Sequence, residues 1–179
     1  YSKVDSYRDS NSWCLVQDTA WDGYQEIPID IMRGYLTQVH EITEQIKDNS
    51  IDIIFLQSGV GSWAASIIMY MLTFWKTPPL FISVEPHSAN CLFRSIQSAK
   101  RISVNSDEST AMAGLDCGTV STEAWKILRY GIYGSLSISD SLMEEAVRVL
   151  AHPLMDDTPI KSGESGASPL AALIGLLKS

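Results

Sequence analysis

Two short apolar runs, IDIIFLQ at 51–57 and LFISVE at 80–85, constrain the fold more than any other feature of the chain. Both are rich in β-branched and aromatic residues and show almost no polar alternation. Strands of that composition are buried on both faces, as in a parallel sheet covered by helices. Between them stand SGVGS at 58–62 and an apolar stretch over about 63–75, which Pro78 and Pro79 terminate. Strand, glycine turn, helix and strand make one crossover unit, and such units are right-handed.

The flanking sequence extends the alternation. WCLVQ at 13–17 reads as a further strand and 18–27 as a polar loop. Pro28 suits the first turn of a helix, where its missing N–H is no loss. Ile31, Tyr35, Val39, Ile42 and Ile46 follow at helical spacing, which predicts a helix over 28–48, ended by Asn49 and Ser50. A helix over 87–97 follows Pro86. Beyond it the signal is less regular. RISVN at 101–105 reads as a short strand, and 106–120 as a loop or a short helix around Thr110–Leu115. A helix is expected over Glu123–Tyr130, a short strand over Leu136–Ile138, and a helix capped by Ser139 or Ser141 running to about Ala151. After a loop at 152–163, an apolar helix fills 164–178. The expected class is α/β, a three-layer α/β/α arrangement with a largely parallel sheet.

Composition narrows the function. The chain has 179 residues, 45% of them apolar, enough for one domain with a real core. With 13 Lys+Arg against 21 Asp+Glu it carries a formal charge of −8. A nucleic-acid binder needs clustered cations to displace counterions, and none are clustered here. No apolar run is long enough for a membrane-spanning helix. Cys14, Cys91 and Cys117 have neither CxxC nor Cys/His spacing, so no metal site is expected. An odd cysteine count in an acidic chain reads as reduced thiols of a cytoplasmic protein. The start at Tyr1 and the stop at Ser179, directly after an apolar helical run, suggest a piece of a longer polypeptide.

Three places could carry chemistry. SGVGS puts two glycines between a buried strand and a helix start, where first-turn N–H groups converge on an anion such as a phosphate. The lysine of a P-loop and the third glycine of a dinucleotide loop are both missing. An ordinary tight turn explains the same residues equally well. QDTAWDGY at 17–24 sets Asp18 and Asp22 at the carboxyl end of a strand, where either could act as a general base or simply form turns. SGESGA at 162–167 is a small-residue helix entry with one carboxylate, Glu164. His40, His87 and His152 read as solvated or structural.

Taken together, QDTAWDGYQEIP, LQSGVGSWA, VEPHSANC, MAGLDCG and SGESGA resemble, in that order, the diaminopropionate ammonia-lyases over roughly 13–177. These are pyridoxal-phosphate enzymes of fold type II, the tryptophan synthase β-like group. VEP and GESGA are also similar to serine/threonine dehydratases. The resemblance implies pyridoxal 5'-phosphate as cofactor, a small amino acid as substrate, and elimination of ammonia from 2,3-diaminopropionate to give pyruvate and ammonia. It assigns the phosphate cradle to Gly59, Val60, Gly61 and Ser62, Cα proton abstraction from one enantiomer to Asp18, and a place near the cofactor ring to Glu164. It also implies a homodimer, a single α/β region over 1–179 whose residues 1–50 belong partly to a smaller domain, and proximity of Cys91 to Cys117 fit for a disulfide. None of Lys3, Lys47, Lys76, Lys100, Lys126, Lys161 or Lys178 has the family context of the Schiff-base lysine, which is expected before Tyr1. Two other readings stay open: a dehydratase-like enzyme and a non-catalytic anion-binding module.

Overall fold

The computed structural model describes residues 11, 13–46, 51–105 and 108–179. In chain order its elements are α1 (Glu26–Gln45), β1 (Ile53–Gln57), α2 (Ser62–Phe74), β2 (Leu80–Pro86), α3 (Cys91–Gln97), α4 (Thr122–Gly131), β3 (Ile132–Ile138), α5 (Asp140–Ala151) and α6 (Glu164–Lys178). Single 3-10 turns occupy His87–Ala89 and Ala113–Leu115. The three strands form one parallel sheet in the order β1-β2-β3, with Ile53 opposite Leu80 and Val84 opposite Leu136.

Alternate residues along each strand serve two cores. Ile54, Leu56, Phe81 and Ile132 face a cluster built with Met32, Val39, Ile68, Leu92 and Leu128, drawn from α1 to α4. Phe55, Val84, Leu136 and Ile138 face a second cluster with Met143, Ala146, Ala167 and Ala171 from α5 and α6. Helices on both faces make the three layers expected. Glu85 is fully buried at the end of β2, and its carboxyl oxygens accept from the N–H groups of Leu92 (2.8 Å) and Phe93 (2.6 Å). That side chain satisfies orphan donors at the start of α3, which has no cap of its own.

Several boundaries differ from the sequence reading. Residues 13–17 form no strand. Their backbone goes instead to the Tyr24 phenol, which donates to Leu15 O (2.8 Å) and accepts from Gln17 N (3.1 Å). Residues 101–105 are also not a strand; Val104 N donates to Gly118 O (2.8 Å) in a loop-to-loop contact. The segment expected as a short helix near 110–115 is the turn at Ala113–Leu115. β3 starts at Ile132, four residues before the expected Leu136, with a register irregularity opposite Phe81/Ile82. α3 begins at Cys91 because His87–Ala89 is a separate turn. Ser139, not Ser141, caps α5, accepting from Leu142 N at 3.3 Å. The expected end of the first helix at 47–50 lies outside the described residues.

Candidate active site

Residues 15–24 form a fixed loop at the carboxyl end of the sheet. Trp21 and Tyr24 pair through both backbone bonds and stack their rings at 4.4 Å. Ala20 is buried, and its N–H reaches Ser121 Oγ (2.9 Å) while its carbonyl accepts from Thr122 N (3.1 Å). Asp18 is held by its own carbonyl, which accepts from Ser62 Oγ at 2.7 Å. The two aspartates left open by the sequence separate here. Asp18 lines a cleft of about 410 Å³, whereas Asp22 is exposed and lines none of it.

SGVGS leaves β1 and enters α2 at that same cleft. Ser58 N donates to Val84 O (2.9 Å), carrying the parallel ladder one step past β1. Gly59 packs so closely that a Cβ there would meet Gly114 O at 2.9 Å and Cys117 Sγ at 3.0 Å. Gly61 has φ +88°, and a Cβ would meet Leu128 Cδ1 at 2.5 Å. Tight packing by itself therefore requires both glycines. The turn nevertheless presents donors. Among the described residues no backbone carbonyl accepts from the N–H groups of Gly59 through Ala64, and the first regular bond of α2 is Ala65 N to Gly61 O (2.9 Å). Gly59, Val60, Gly61, Ser62 and Ala64 all line the cleft. This donor set, at the positive end of a helix of 13 residues, fits the phosphate of a cofactor.

The opposite wall joins two other motifs. Gly114 N donates to Ser165 Oγ at 3.1 Å, so the MAGL turn is tied to the start of α6, and Gly114, Leu115, Cys117 and Ser165 complete the lining. Glu164 is exposed in the first turn of α6 and is not among the lining residues; its neighbour Ser165 is. Among the described residues, no lysine, arginine or histidine lines the cleft, and Asp18 is its one carboxylate. Burial raises the Asp18 carboxyl above its ordinary value, opposed only by a backbone hydrogen bond. Burial likewise raises Tyr35, with the charge of Asp18 as the second cause. His40 and His87 are engaged elsewhere, with Tyr70 and Ser137.

A second cavity of about 510 Å³ adjoins the cleft and shares Gln17, Thr19, Val60 and Cys117 with it. Cys91 and Cys117 both approach Gly59: Cys91 Sγ lies 3.9 Å from Gly59 O, and Cys117 Sγ would meet a Cβ there at 3.0 Å. Both are free thiols, as is Cys14. Burial pushes the Cys91 thiol well above its usual range, as it does less strongly for Cys117. Among the described residues, no helix is long and apolar enough to cross a membrane.

Sequence reasoning missed Tyr35, Gln38, Trp63, Gly114 and Ser165 as cleft residues. Tyr35 lay hidden in the helical stripe Ile31–Ile46. The buried positions of α1 are Pro28, Met32 and Val39; Tyr35 lies on that same face and lines the cleft. Ser62 was expected to contribute only its backbone N–H, yet its hydroxyl also fixes the Asp18 loop.

Comparison with known proteins agrees with this geometry. The chain is 39% identical over 177 residues to the diaminopropionate ammonia-lyase of Salmonella typhimurium strain LT2, covering 95% of this chain and 44% of that protein. The chain thus spans under half the length of the curated relatives it matches. The Escherichia coli diaminopropionate ammonia lyase, solved in complex with an aminoacrylate–PLP azomethine reaction intermediate, superposes with a TM-score of 0.90 at 35% identity, over 98% of this chain and 45% of that one. A threonine deaminase of known structure, from T.th., shares the fold, with a TM-score of 0.78 at 21% identity over 95% of this chain and 58% of that one. The family model described as pyridoxal-phosphate dependent enzyme matches residues 5–179. A helix-start donor set and a half-buried carboxylate on one cleft of a parallel α/β sheet are thus the local expression of a wider kinship: the chain belongs to the pyridoxal-phosphate dependent enzyme family.

Proposed function

We propose that this chain forms part of a lyase that eliminates ammonia from 2,3-diaminopropionate, giving pyruvate and ammonia, within a polypeptide longer than these 179 residues. The observation that carries this reading is the Ser62 bridge. Its hydroxyl donates to the Asp18 carbonyl while the residue itself lines the cleft at the start of α2, which supports a reading in which an anion held by the turn and the Asp18 carboxylate share one cleft. The likeness to diaminopropionate ammonia-lyases over nearly the whole chain supports the choice of substrate.

Pyridoxal phosphate, when bound, supplies an electron sink for the electron pair left at the substrate Cα. The N–H groups of Gly59, Val60, Gly61 and Ser62 hold its phosphate. Asp18 takes the Cα proton of one enantiomer at a carboxylate oxygen. Partial burial suits it to that task, because a raised proton affinity brings a carboxylate closer to the operating pH. Glu164 stands exposed at the first turn of α6 beside Ser165, and its place near the cofactor ring is supported by the family resemblance alone. Loss of the β-amino group and hydrolysis of the remaining three-carbon unit complete the reaction. We place the activity in the cytoplasm, as the odd cysteine count of an acidic chain suggests, and in a homodimer with residues 1–50 partly in a smaller domain, as the family resemblance suggests. Light scattering of the full-length protein checks the dimer.

The test uses that full-length protein, loaded with cofactor and given each enantiomer of diaminopropionate, then serine and threonine. Keto-acid release is the readout. Diaminopropionate is expected to lead in kcat/KM by about tenfold or more. Serine or threonine in the lead overturns the substrate in favour of a dehydratase. No keto acid from any of these substrates, with phosphate still bound at the cradle, leaves an anion-binding module.

A further inference from the structure

The cavity of about 510 Å³ beside the cleft has no part in the chemistry above, and its volume is that of a small-molecule site. Its lining holds one cation, Arg101, and one carboxylate, Asp116. The two do not pair with each other, and among the described residues neither has an ion-pair partner. The fold holds them apart. Val104 N donates to Gly118 O (2.8 Å) and Thr119 Oγ1 to Ser103 Oγ (2.8 Å), so the two segments meet running in opposite directions. A Cβ at Gly118 would meet Val104 O at 2.7 Å, so the approach is a close one. Arg101 stands beyond one end of that contact and Asp116 beyond the other. Trp21, stacked on Tyr24, adds an apolar wall.

We propose that this cavity is a second amino-acid site, which takes an α-amino acid as its zwitterion, carboxylate on Arg101 and ammonium on Asp116, and stages it for the cleft across the shared wall of Gln17, Thr19, Val60 and Cys117. The ligand class follows from charge. An anion such as phosphate gains Arg101 but is repelled by Asp116, and a simple cation meets the reverse. A dipolar ion satisfies both. The guanidinium fork matches a carboxylate, and the carboxylate of Asp116 accepts charge-assisted bonds from an ammonium. Among the described residues the cleft has no cation, so of the two spaces this one offers the charge that draws a carboxylate. Staging rests on the proposed elimination from an amino acid; binding at the cavity does not.

The probe is N,N-dimethylglycine, a zwitterion without a primary amine, which cannot condense with the cofactor aldehyde. Its binding to the full-length protein loaded with cofactor is read by saturation-transfer NMR, with the cofactor absorbance followed alongside. Arg101→Gln and Asp116→Asn are each expected to weaken binding about tenfold or more, with the absorbance unmoved. Two analogues repeat the test on the unaltered protein. The methyl ester of the probe lacks the carboxylate and 3-methylbutanoate lacks the ammonium; each should bind about tenfold more weakly or worse. For staging, both variants should raise KM for diaminopropionate about fivefold with kcat unchanged. Equal binding of the three probes, or unchanged affinity in both variants, overturns the site. An absorbance shift with dimethylglycine puts the probe in the cleft and overturns it too. Selective binding with KM unmoved overturns staging. Selective binding in an enzyme that prefers serine or threonine upholds the cavity and overturns only the diaminopropionate reading.

Discussion

At the scale of single residues, the cleft selects between carboxylates that the sequence could not rank. Asp18 and Asp22 belong to one polar loop, but Asp18 lines the cleft whereas Asp22, inside the Trp21–Tyr24 turn, faces water. Asp18→Asn in the full-length enzyme is expected to lower turnover of one enantiomer by about 10²–10⁴. Its thermal midpoint should barely change, because the anchoring bond of that residue is made by its backbone carbonyl. Turnover of the served enantiomer should rise with pH through a midpoint above the ordinary 3.8, since only the ionised form accepts the proton. Glu85 has the opposite consequence for folding. Burial pushes it from 4.5 up to about 8, against the pull of two α3 N–H groups. Between those values the folded chain holds a proton that the unfolded chain has released. Its contribution to stability is therefore complete below about 4.5 and is lost as pH climbs through about 8. Thermal melts across that window should decline toward the alkaline side, and Glu85→Gln should flatten the decline.

At the scale of elements, the turn between β1 and α2 is fixed by packing on one side and offers donors on the other. Gly61→Ala places a Cβ at a left-handed backbone and against Leu128 Cδ1. A loss of about 1–3 kcal/mol is expected in denaturant titrations, through strain and overpacking. Ser62→Ala removes the bond to the Asp18 carbonyl, worth about 1 kcal/mol. Its larger effect should be on kcat for the enantiomer that Asp18 serves, with the other enantiomer nearly unchanged. β1, β2 and the glycine turn were legible in the sequence because the strand residues there are mostly apolar or β-branched over a short span. β3 was half hidden: Gly134, Ser135 and Ser137 interrupt the apolar pattern, and Ser135 Oγ pairs with Ser83 Oγ at 2.8 Å inside the sheet instead of facing water. WCLVQ misled for the converse reason. Its apolar side chains suit a strand, but the Tyr24 phenol, farther along the chain, takes its backbone groups.

At the scale of the whole molecule, motifs spread over the chain meet at one cleft, and their meeting is what no local pattern could reveal. That Ser165 Oγ would accept from Gly114, 51 positions away, depends on α6 packing beside the sheet. Inorganic phosphate should raise the melting midpoint of the chain, following RT ln(1 + [L]/Kd), and Gly59→Ala should reduce that gain by pressing Gly114 and Cys117 out of place. No lysine among the described residues lines the cleft, so the 179-residue chain mixed with pyridoxal phosphate is expected to release pyruvate from diaminopropionate no faster than free cofactor. Release well above that background would show that a lysine of this chain performs the role assigned to one outside it. The bond from Ala20 N to Ser121 Oγ also has a temporal side, for it closes 101 residues of chain. On a ribosome adding roughly 5–20 residues per second, Ala20 emerges about 5–20 s before Ser121 does. The crossover of β1, α2 and β2, which includes the Ser62 anchor of Asp18, can collapse in that interval, so the two ends of one loop are fastened at different times: Asp18 early, Ala20 only once α4 begins.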